Sequence, residues 1–95
     1  MDTIYNKKTD KKRQYKKWNQ LKMKDQIIAS YILRNFYITF VLQNDRQPNS
    51  CEKILIVANA FSELEEKNIF VKDNEINKYL KKKISDFTES ADKLR

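Results

Sequence analysis

Between Thr9 and Asp25 the chain reads TDKKRQYKKWNQLKMKD, and seven of those side chains are Lys or Arg. Lys11, Lys12, Arg13, Lys16, Lys17, Lys22 and Lys24 can neutralise phosphates, and Tyr15 and Trp18 stand among them with flat rings that can stack on a base or lie against a sugar. Cations interleaved with aromatics are the chemistry of nucleic-acid binding with little sequence specificity. Lys outnumbers Arg sixteen to four, and an ammonium positions a phosphate without reading a base. The candidate nucleic-acid contacts are Lys11, Lys12, Arg13, Tyr15, Lys16, Lys17, Trp18 and Lys22. Neutralising about six phosphates would cost roughly a thousandfold in affinity between about 50 and 200 mM salt. A competing reading uses the same residues differently. Tyr15, Trp18 and Leu21 are spaced three apart, which docks a helical turn onto a core and leaves the lysines as its wet side.

Other chemistry is poorly supplied. The chain contains no His and no Gly, so neither a Cys–His pair nor a glycine-rich phosphate loop can be built. Cys51 falls at the start of an expected helix, where the backbone dipole favours a thiolate, but it has no base beside it. Glu63, Glu65 and Glu66 lack metal-ligand spacing. A non-enzymatic protein without metal or cofactor is expected. Lys81, Lys82 and Lys83 form a second basic run, but Asp86, Glu89 and Asp92 follow on the same helix and balance most of it. That run reads as a solvated helix face.

The elements that must position these side chains are helices. With one proline, Pro48, and no glycine, left-handed turn positions fall to Asn or Asp. Ile76, Leu80, Ile84, Phe87, Ala91 and Leu94 recur in steps of three and four, giving an amphipathic helix over about 74–94 capped by Asp73 or Asn74. Ile54, Val57, Ala58, Phe61 and Leu64 share a face of a second helix over about 50–67, capped by Asn49 or Ser50 and stopped near Asn68. The segment QIIASYILRNFYITFVLQ is apolar nearly all round, as suits a central or interfacial helix over about 26–43 capped by Asp25. Its second half is β-branched and aromatic, which leaves strands near 35–42 and 69–72, and an α+β fold, as the alternative. The expected fold is all-α, a small antiparallel bundle of three to four helices, with a basic N-terminal segment that can continue the first helix backward.

Charge divides the chain the same way. Its net charge is +7, of which residues 1–25 carry +6 and residues 26–95 only +1. We therefore separate a basic arm, 1–25, from a helical core domain, 26–95. A chain of 95 residues buries only roughly 60–65% of its unfolded surface, so association with a partner or a second copy would add to its stability. One cysteine permits no internal disulfide, residues 7–24 lack a signal-peptide core, and no apolar run reaches spanning length; a cytoplasmic location is expected, without transmembrane insertion. Lys-, Asn- and Ile-heavy usage suits an AT-rich genome, such as that of a low-GC bacterium, its phages or its mobile elements.

Two functions follow. In the first, the arm engages nucleic acid, in a regulatory role and with possible homo-oligomerisation. In the second, the bundle occupies a larger protein, as phage-type inhibitors and immunity-like proteins of this size do, an analogy of architecture alone. An acidic protein surface would suit the lysines there, and the contacts would be Arg34, Phe36, Tyr37 and Phe40, with Arg34 either setting register across an interface or reaching out to water.

Overall fold

The computed structural model describes residues 15–94. Helix α1 spans Met23–Asn44, α2 spans Ser50–Glu66 and α3 spans Asp73–Lys93, with a single 3-10 turn, Trp18–Gln20, ahead of them. The described chain is an all-α, three-helix bundle with no strands. No described helix is long and apolar enough to cross a membrane.

The helix ends follow from side chains that replace missing glycines and from local hydrogen bonds. At the start of α2, Glu52 N–H donates to Asn49 Oδ1 and Asn49 N–H donates to Glu52 Oε1, both at 2.9 Å, a reciprocal box that satisfies two orphan donors. Arg46 donates to both carboxylate oxygens of Glu52 at 2.8 Å. Asn68 ends the helix at φ 63°, with Asn68 N–H bonded to Glu65 O at 3.0 Å and Ile69 N–H to Leu64 O at 2.9 Å. Asp45 performs the same left-handed turn after α1 at φ 55°. Two expected caps are displaced. Lys22 and Lys72 occupy the cap positions of α1 and α3 without side-chain caps, and Asp25 and Asp73 lie inside the first turns, where their charge still suits the helix dipole.

Packing fixes the topology. Ser30 Oγ lies 2.8 Å from Tyr79 Oη and Tyr37 Oη lies 3.0 Å from Thr88 Oγ1, so α1 and α3 run parallel, with α2 antiparallel to both. Leu33, Tyr37, Leu64, Ile76 and Leu80 are fully enclosed at the centre. The strand alternative at 35–42 fails because those residues continue α1 without interruption, and an isolated short strand would lack the pairing that makes one stable. At 69–72 it survives only as one parallel bridge between Lys16 and Val71. The basic segment does not extend α1 backward. Residues 15–17 are extended and form a strap across the α2–α3 connection, with Lys16 N–H donating to Phe70 O at 2.9 Å and Lys72 N–H to Lys16 O at 3.0 Å. Leu21, at its end, is buried in the core.

Candidate nucleic-acid interface

The strap is anchored by its two aromatics. Tyr15 stacks on Phe61 with centroids 5.6 Å apart, meets Phe70 edge-on, and donates its hydroxyl to Glu65. Trp18 lies flat on Tyr79 at 4.0 Å, and its backbone N–H donates to Glu75 Oε1 at 3.0 Å. That N–H, aided by the positive charge of Lys78, holds the Glu75 carboxyl below its ordinary pKa. Both rings are half-buried, so each presents only part of its surface to a ligand. Their principal contacts are within the protein.

The strap's cations face outward. Lys16, Lys17, Lys22 and Lys24 are exposed, and among the described residues none has a carboxylate within ion-pair distance. Lys11, Lys12 and Arg13 lie outside the described residues. Because the Trp18–Tyr79 stack pins the strap to α3, Lys17 comes to rest beside Lys78 and Lys82 around a depression of about 390 Å³ that Trp18, Asn19 and Tyr79 also line. Glu75 stands in the same depression with Lys78 3.6 Å from it, which leaves Lys17 and Lys82 without an ion pair among the described residues. Helical periodicity makes the lysines of α3 a solvated face. Long-range contacts, the Trp18 stack on Tyr79 and the Trp18 N–H bond to Glu75 among them, join them to the leader, and periodicity carries no signal for such contacts.

The second proposed site is arranged differently. Tyr37 is fully buried and hydrogen-bonded to Thr88, so it is not available to a partner; the correction arises because an all-apolar helix does not reveal from sequence which arc meets the core. Phe36 and Phe40 are half-buried against the core, and the Arg46 guanidinium lies 5.3 Å above the Phe40 ring. Arg34 is half-buried. The apolar side chains that α1 does expose are Met23, Ile27, Tyr31 and Leu42, mostly at the opposite end of the helix from Phe40. Cys51 is exposed at the start of α2.

Comparison of the chain with protein-family models, curated proteins and solved structures finds no match.

Proposed function

We propose that this protein is a small non-enzymatic binding protein that engages nucleic acid through its basic strap with little sequence specificity, in a regulatory role inside the cell. The observation that supports this reading is the meeting of two basic segments: the strap lays exposed Lys17 beside Lys78 and Lys82, and neither Lys17 nor Lys82 makes an ion pair among the described residues. Lysines gathered from separate elements onto one side raise the local potential that attracts a polyanion. The lysines contact phosphates. Tyr15 and Trp18 keep the strap in place, with their remaining exposed edges against sugar or base.

The test is retardation of generic single- and double-stranded oligonucleotides at low salt. Lys17→Gln combined with Lys82→Gln should weaken retention of every sequence alike, whereas equal retention by this variant and the wild type would refute the reading.

A further inference from the structure

The N-terminal half of α1 carries an apolar stripe that the bundle leaves uncovered. Met23, Ile27 and Tyr31 recur every four residues and are 69%, 62% and 61% exposed. Beside them the stacked Trp18 and Tyr79 rise as a wall, and the stripe and wall enclose a groove of about 410 Å³ with Arg34 in its lining. A groove with anchor positions at this spacing fits an apolar helix face laid along it.

The charge around the groove selects the occupant. Exposed Lys22 and Lys24 flank Met23, and Arg34 lines the groove itself. Arg34 is half-buried and makes no ion pair among the described residues. The acids nearby are engaged or turned away: Glu75 pairs with Lys78 at 3.6 Å, Asp86 with Lys83 at 3.8 Å, and Asp25, two residues beyond Met23, projects from the far side of α1. A second copy would therefore bring cations against cations. A bilayer would cover the stripe yet leave the concave part of the groove empty. We infer that this groove docks an acidic amphipathic helix of a partner protein, whose apolar face covers Met23, Ile27 and Tyr31 and whose carboxylate meets Arg34, the geometry a guanidinium takes up in two parallel hydrogen bonds. The nucleic-acid contacts at Lys17, Lys78 and Lys82 lie on the other side of the Trp18–Tyr79 wall, so the two surfaces are separable by mutation.

The probe is a synthetic helical peptide of about 18 residues with Leu on one face and Glu on its flanks, long enough to be helical when seated. Trp18 is the sole tryptophan and forms the wall, so its emission reports occupancy. The glutamate peptide should saturate the signal, and the same peptide with Lys flanks should bind at least about tenfold more weakly. Ile27→Gln, Tyr31→Gln and Arg34→Gln should each lower affinity by about tenfold. All three should keep wild-type circular dichroism, melting and oligonucleotide retention. The proposal is overturned by absence of saturation at about 1 mM peptide, or by equal affinity for the Glu and Lys peptides. It is equally overturned by a dimer in light scattering that Ile27→Asp dissociates, or by a Trp18 shift that vesicles of phosphatidylcholine with phosphatidylglycerol produce and the glutamate peptide does not.

Discussion

Tyr37 shows how one side chain in an all-apolar helix acquires its role from packing. Its ring fills the space beside Phe87, with centroids 5.9 Å apart, and its hydroxyl meets Thr88 at 3.0 Å. Removing the hydroxyl in Tyr37→Phe leaves Thr88 without that partner and should cost about 1 kcal/mol in urea unfolding, whereas Tyr37→Ala opens a cavity and should cost about 3–5 kcal/mol. A value for Tyr37→Ala below that of Tyr37→Phe would place the ring outside the core. Glu52 illustrates a different case: Asn49 is legible as a cap from sequence, but the reciprocal bond from Glu52, three residues on, emerges only from the structure. The Arg46 hydrogen bond, then the Asn49 backbone bond, lower its pKa from 4.5 to about 2. Because the folded value is depressed, its contribution to stability is complete above about pH 4.5 and is lost as the pH falls toward 2. Unfolding of Glu52→Gln, followed from pH 6 to pH 2, should show a shallower acid dependence than the wild type; identical slopes would exclude this role.

Among the elements, α2 and α3 are legible because Ile54 to Leu64 and Ile76 to Leu94 keep helical spacing and Asn68 offers the left-handed turn that a chain without glycine requires, whereas α1, apolar nearly all round, leaves a strand at 35–42 as its alternative. Their observed bounds differ from the expected ones by only a few residues. The strap was not readable as an element. Its spacing of Tyr15, Trp18 and Leu21 suggested a docked helical turn, but the segment is extended at Lys16 and pairs with Val71, and its partners Phe61, Phe70 and Tyr79 come from distant parts of the chain. Local periodicity cannot report such contacts. Trp18→Ala removes the stack on Tyr79 and should raise amide exchange at Lys16 and Lys72, whose N–H groups form the bridge, while the centres of α1 and α3 stay protected. Acid should act in the same direction. The Glu75 carboxyl is depressed chiefly by the Trp18 N–H, so its hold on the strap is present above the usual carboxylate range and is lost as the pH falls through its lowered folded value. Red-shifted Trp18 emission in acid, preceding loss of helix, is the expected sign, and simultaneous loss of both signals would contradict it.

At the scale of the whole molecule, the charge asymmetry was legible from counting, since residues 1–25 hold +6 of the net +7. Its placement was not. Folding sets Lys17 against Lys78 and Lys82 of α3, so the basic leader and the supposedly ordinary third helix contribute to one surface, with the apolar groove of α1 on the far side of the Trp18–Tyr79 wall. Of that groove, Arg34 and Trp18 are singled out by the sequence but Met23, Ile27 and Tyr31 are not, for the same reason as Tyr37: hydrophobicity all around α1 marks neither the buried arc nor the exposed one. The central claim is that the cationic surface binds phosphates. Its most direct measurement is the salt dependence of binding to a labelled duplex of arbitrary sequence, comparing the wild type with a variant carrying Gln at Lys17, Lys78 and Lys82. If about six phosphates are engaged, wild-type affinity should fall roughly a thousandfold between about 50 and 200 mM salt, and the variant should bind more weakly, with a slope smaller by about 0.9 for each phosphate it no longer neutralises. Absence of binding at 50 mM salt, or equal slopes for the two proteins, would contradict the account.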